Sequence, residues 1–187
     1  PMFQSSTITI FACFMLFLMA CEKDPVIPNE EELITTLTYT LTPVGGGTPV
    51  VLNFQDLDGD GGVAPIITDD AILQANLTYD GSVGLLNEAE DPAEDIGLEV
   101  FEESLEHQFF FQSSIQDLII AYADVDALGT NPIGLQSTLT TGGVGSGSIT
   151  ITLKHEPLKD APGVSDGDIS EAGGETDIAV TFPIDVQ

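Results

Sequence analysis

Between residues 33 and 187 apolar side chains return at every second position in short runs, and glycine, proline and aspartate cut the runs apart. A strand sends successive side chains to opposite faces, so each run is a strip with one apolar and one polar side. A chain made of such strips hides them by stacking two sheets or by closing one sheet on itself. The run 33–42 puts Leu37, Tyr39 and Leu41 on one face and Thr36, Thr38, Thr40 and Thr42 on the other. Val50, Leu52 and Phe54 form a second strip after the turn Gly45-Gly46-Gly47. Leu73, Ala75, Leu77 and Tyr79 form a third, with Asp80-Gly81 as a hairpin turn and 83–87 pairing back. Phe109 and Phe111 share a face in 107–112, and Leu118, Ile120 and Tyr122 follow, then Leu135 and Leu139 in 133–141. A flexible turn at Gly142-Gly143 and Gly145 to Gly147 leads to Ile149, Ile151 and Leu153, and Ile178, Val180, Phe182, Ile184 and Val186 close the series. Pro183, on the opposite parity and without an N–H, suits an edge strand. The Gly- and Asp-rich segment 160–174 reads as a long mobile loop.

One helix is expected midway. Asp91-Pro92-Ala93-Glu94 offers a cap, a proline in the first turn and an acid three residues after the cap, and Ile96, Val100, Phe101 and Leu105 recur at helical spacing. The pattern therefore predicts a mainly β protein: an antiparallel β-sandwich, immunoglobulin-like or transthyretin-like, of about nine strands with one short inserted helix. A small barrel is the alternative.

Upstream, the apolar run 8–20 ends in Leu18-Met19-Ala20-Cys21. It is shorter than the roughly 20 residues a membrane-spanning helix needs and fits the apolar part of a signal peptide. The four residues at its end read as a lipobox, with Cys21 as the lipidated residue; a buried apolar helix with an ordinary cysteine is the plainer alternative. The expected organisation is a signal peptide over 1–20, a lipidated cysteine and acidic tether over 21–32, and the β-sandwich over 33–187. No Lys or Arg precedes Cys21 and residue 1 is proline, so the signal peptide reads as truncated at its start.

Charge narrows the function classes. Against 31 Asp and Glu stand 3 Lys and Arg, all of them lysine, for a formal net charge of −28. Such a surface cannot displace counterions from phosphates, which argues against a nucleic-acid partner. It is equally unsuited to anionic lipid head groups, leaving covalent lipid as the expected attachment. Adaptation to salty surroundings accounts for the acidity without invoking a site. The two cysteines are Cys13 and Cys21. One falls in the signal and the other carries lipid, so the mature domain is expected to have neither a disulfide nor a thiol nucleophile. The zinc-protease helix motif is absent from the sequence, and an enzyme is not expected.

Three constellations are candidate ion sites. Asp56, Asp58 and Asp60 alternate through a Gly-rich loop like the first half of a calcium loop. Ile67 stands where the closing glutamate belongs, so Asp69 and Asp70 are the candidates to complete that calcium site. Asp124, Asp126 and Asn131 offer a second, sparser set of oxygens. In both loops the same residues also suit turn chemistry. The two histidines, His107 and His155, open and close strands; a hairpin of the last two strands brings Glu175 or Asp177 near His155. Together they are candidate ligands for zinc or another transition metal, with hydrogen-bonded structural histidines as the alternative.

Several segments together resemble a family of uncharacterised Bacteroidota-type surface lipoproteins. They are Cys21-Glu22-Lys23-Asp24, Glu31 to Leu37, the Asp56 to Gly62 loop, Glu106-His107-Gln108-Phe109-Phe110-Phe111, Leu153-Lys154-His155-Glu156-Pro157 and Gly173-Gly174-Glu175-Thr176-Asp177. Members sometimes carry a type 1 periplasmic-binding label, but this chain lacks the alternating βα units of that architecture. The resemblance implies an address on the outer membrane or cell surface and the type of module. With the residue readings above, the expected function is a non-enzymatic binding or interaction module, with calcium as a candidate stabilising ion. The alternatives are a transition-metal-capture lipoprotein using His107 and His155 beside an outer-membrane transporter or another envelope protein, and a carbohydrate-active protein.

Overall fold

Alternating burial carries through into the structure. In the computed structural model, which describes residues 33–59 and 62–187, Leu37, Tyr39 and Leu41 are wholly buried. Ten strands result among the described residues: β1 Thr36–Pro43, β2 Val50–Gln55, β3 Ile66–Ile67, β4 Ala71–Leu73, β5 Thr78–Leu86, β6 His107–Ser113, β7 Ile119–Tyr122, β8 Gln136–Thr140, β9 Gly145–His155 and β10 Glu175–Val186. Helix α1, Ile96–Glu102, lies between β5 and β6. The apolar run 8–20, Cys13 and Cys21 lie outside the described residues. Among those described, no helix is long and apolar enough to cross a membrane.

The strands form a six-stranded sheet, β3-β2-β1-β5-β8-β7, and a four-stranded sheet, β4-β10-β9-β6. Pairing is antiparallel apart from the parallel contact of β10 with β4. One apolar cluster joins Leu37, Tyr39, Leu41 and Leu139 of the larger sheet to Phe109, Ile149, Ile151, Leu153 and Phe182 of the smaller one. Each such side chain contributes about 1.5–3 kcal/mol when fully buried. The molecule is a mainly β, two-sheet sandwich rather than a closed barrel.

Five expectations about local structure are corrected. Asp80-Gly81 is not a turn: β5 runs straight through it, and the third strip breaks instead near Asn76, where φ is 56°. Gly81 is glycine because the buried Tyr39 Oη···Ser137 Oγ hydrogen bond, 2.8 Å, crosses there. A Cβ at Gly81 would stand 2.5 Å from Ser137 Oγ and 2.6 Å from Tyr39 Oη. Gly145 to Gly147 likewise belong to β9, and a Cβ on Gly147 would meet Ser114 Oγ at 2.6 Å.

The helix starts later than its capping signal. Asn87 and Glu94 exchange two backbone hydrogen bonds of 3.0 Å, which holds the intervening residues as a loop. Asp95 then caps α1 by accepting from the Leu98 N–H. Ile96 and Val100 are buried while Phe101 and Leu105 are exposed.

The segment 160–174 is packed rather than loose. Its two 3₁₀ turns, Val164–Asp166 and Ile169–Glu171, cover Phe110 with Val164 and Ala172, all three fully buried. Phe110 points away from the main core, and this segment is its cover. Pro183 lies in β10, which has neighbours on both sides, but β4 pairs only with Ile184, Asp185 and Val186. At Pro183 itself β10 pairs with β9 alone, which tolerates a residue without an N–H.

Candidate functional site

The four-stranded sheet brings both histidines to one end of the core. In the antiparallel ladder of β6 and β9, His107 stands directly opposite His155. Both share the inward parity of Phe109, Ile151 and Leu153, so neither faces water: His107 is 0 % exposed and His155 6 %. Their ring centroids are 4.5 Å apart, with the planes tilted by 47°.

The third member comes from β10 through an irregularity. Thr176 pairs with Lys154 and Ile178 with Leu153, leaving Asp177 as the extra residue of a β-bulge. A bulge re-aims one side chain without disturbing the strand on either side. Asp177 Oδ2 thereby comes to lie 3.9 Å from His107 Nε2, with the carboxylate side chain 2 % exposed. Ligand atoms of His107, His155 and Asp177 all lie within 4.8 Å of one another. Glu175 pairs directly opposite His155 yet stays exposed and is not part of this convergence.

His107 is oriented by its other nitrogen. Nδ1–H donates to the Glu103 carbonyl at 3.3 Å, which turns Nε2 toward Asp177. Metal-ligating histidines are oriented in this way, by a second hydrogen bond to a carbonyl or carboxylate. Two imidazoles and a carboxylate form a donor set suited to zinc and its neighbours, and poorly suited to calcium.

A second group lies on the solvent side of the same histidine. Glu106, His155 and Glu156 also have ligand atoms within 4.8 Å of one another, and Glu106 Oε2 is 3.9 Å from His155 Nε2. Sequence reading named neither glutamate as a ligand. The signal was present as a palindrome, Glu106-His107 against His155-Glu156. It becomes meaningful once β6 and β9 are known to pair antiparallel, which sets His opposite His and Glu beside Glu.

The acidic loops are arranged differently. Asp56 Oδ1 accepts from Gly59 N–H and Asp58 Oδ2 from Val63 N–H, each at 2.9 Å. Asp69 and Asp70 line a separate groove with Asp185. Among the described residues, none of Asp56, Asp58, Asp69 and Asp70 joins a group of three ligand side chains converging within 4.8 Å. Asp60 lies outside the described residues.

In the other loop Asp124 accepts from Gly134 N–H at 2.7 Å and from Gln136 N–H at 2.8 Å. Buried Asp126 accepts from Leu128 and Thr130 N–H through Oδ1, both at 3.1 Å. Burial alone would raise the Asp126 pKa. The N–H groups of Thr130, Asn131 and Leu128 and the charge of Lys159 outweigh it and hold the carboxyl below its ordinary value. Asn131 faces away, donating to Asp160 Oδ1 at 3.1 Å.

Lysine use is equally inward. Buried Lys159 donates from Nζ to the carbonyls of Ser104 at 2.5 Å and Pro132 at 3.1 Å. Its burial lowers its pKa, against the raising effect of Asp126 and Asp124. Lys154 Nζ donates to the Gly174 carbonyl and Thr176 Oγ1, both at 3.0 Å. The two described lysines thus clip loops together. Comparison with protein-family models, with curated proteins and with solved structures finds no match for this chain.

Proposed function

We propose that this chain is an envelope-facing binding module that holds a divalent transition-metal ion through His107, His155 and Asp177. The observation that carries the reading is the convergence of three buried ligand groups within 4.8 Å, with the His107 ring oriented by the Glu103 carbonyl. Burial of all three donors supports retention of an ion rather than turnover of a substrate. The lipobox at Cys21 supports tethering of the module to a membrane by acyl chains, and an outer-membrane transporter or other envelope protein is the proposed partner.

Calorimetric titration of the full chain with zinc and with cobalt tests the reading. One tight site, with a cobalt absorption spectrum showing nitrogen ligation and lost in His155→Ala, is the expected result. An absence of heat with both ions, or binding unchanged in His155→Ala, overturns it.

A further inference from the structure

We infer that Glu106, His155 and Glu156 form a solvent-facing capture position for the same ion, from which it passes inward on His155. This rests on the reading of His107, His155 and Asp177 as the buried site. Both groups contain His155, and in each the ligand atoms lie within 4.8 Å of one another. The outer group offers one nitrogen and two carboxylates. The inner one offers two nitrogens and one carboxylate, a softer set that retains zinc or cobalt better.

A second observation points to a cation at the outer position. The Glu156 N–H donates to the Glu106 carbonyl at 2.6 Å, continuing the β6–β9 ladder one step beyond the paired histidines. That step places two exposed carboxylates beside each other. Like charges opposite one another across a ladder are destabilising, and the net charge of −28 adds to the repulsion. Neither described lysine relieves it. Lys154 Nζ is committed to Gly174 and Thr176, and Lys159 Nζ to Ser104 and Pro132. A divalent ion cancels both charges. Passage inward exchanges the oxygens of Glu106 and Glu156 for His107 Nε2 and the Asp177 carboxylate, while the His155 imidazole stays bound.

Stopped-flow loading of the full chain with cobalt, followed by zinc competition at equilibrium, tests this. In the Glu106→Gln/Glu156→Gln pair the loading rate should fall on the order of tenfold, the lower end of what focused charge contributes to capture. Equilibrium affinity should stay within about threefold, since the inner donors are untouched. An Asp69→Asn/Asp185→Asn pair makes the same change in net charge near the far end of the four-stranded sheet and should load at the wild-type rate. Asp177→Asn should lose the tight site and keep a fast, weak one. Loading at the wild-type rate in the Glu106→Gln/Glu156→Gln pair overturns the capture position while leaving the buried site standing. Tight binding lost in that pair but kept in Asp177→Asn instead overturns the inward passage and the buried site together.

Discussion

The histidine end of the four-stranded sheet and the acidic loops draw on the same stock of carboxylates and use them in opposite ways. In the loops, Asp56, Asp58, Asp124 and Asp126 turn back onto nearby backbone N–H groups. Those bonds hold the loop's own shape. At the histidine end, donors come from three separate strands and point at one another. In a chain with 31 acids, the presence of carboxylates therefore says little. What separates a turn from an ion site is where the lone pairs are directed.

The sharpest way to break this contrast is to load both regions. With zinc at about 100 times Kd, the wild-type chain should gain about 2.7 kcal/mol. At roughly 2–4 °C per kcal/mol this is a rise in Tm of about 5–10 °C by scanning calorimetry. His155→Ala should show no zinc-dependent rise, whatever its own Tm. Next in size, Asp177→Asn keeps the shape of the third donor and removes its charge. Zinc affinity should fall by at least about tenfold, the scale on which even outer partners of metal ligands act. An unchanged affinity would mean that the bulge serves the sheet alone.

The third prediction concerns pH. The Asp126 carboxyl is held below its ordinary value in the folded state. Its contribution is therefore complete above the unfolded pKa, about 3.9, and is lost as pH falls through the folded value. Asp126→Asn should cost about 1–3 kcal/mol at neutral pH. The gap in Tm between the two proteins should then close as pH is lowered toward 2.5. The smallest effect belongs to Asp56→Asn and Asp58→Asn. An amide oxygen accepts the same N–H bonds, so stability should change by less than about 0.5 kcal/mol. Calcium should leave the Tm of the wild-type chain where it is. A calcium-dependent rise abolished in these variants would erase the distinction between the two regions.

Much of the histidine end was legible before the structure. Alternation put His155 on the inward face with Ile149, Ile151 and Leu153, and a hairpin of the last two strands brought Asp177 close. His107 and His155 were legible as candidate ligands of one site, but the direct pairing of β6 with β9 that sets them opposite each other was not, because β7 and β8 intervene in sequence and belong to the other sheet. The choice of Asp177 over Glu175 was not legible either. Unbroken register from Ile178 and Leu153 would set Thr176 opposite His155 and Asp177 opposite Lys154; the extra residue in β10 instead puts Glu175 opposite His155 and turns Asp177 inward. Glycine misled for a related reason. Gly81 and Gly147 read as turns, yet they mark places where neighbouring side chains pass close to a strand. Local sequence carries the torsional freedom of glycine, and the close approach that uses it comes from residues more than thirty positions away.

The bulge at Asp177 also bears on how such a site arises and disappears. Every other donor occupies a regular position in a ladder, so its identity alone decides whether it contributes. Asp177 contributes because β10 holds one residue more than β9 across that step. Removing one codon there would restore regular pairing, leave both histidines in place and withdraw the carboxylate. In related chains, the presence of this donor is best traced by the length of the segment between Gly174 and Ile178, and an alignment scored on residue identity alone would misplace it.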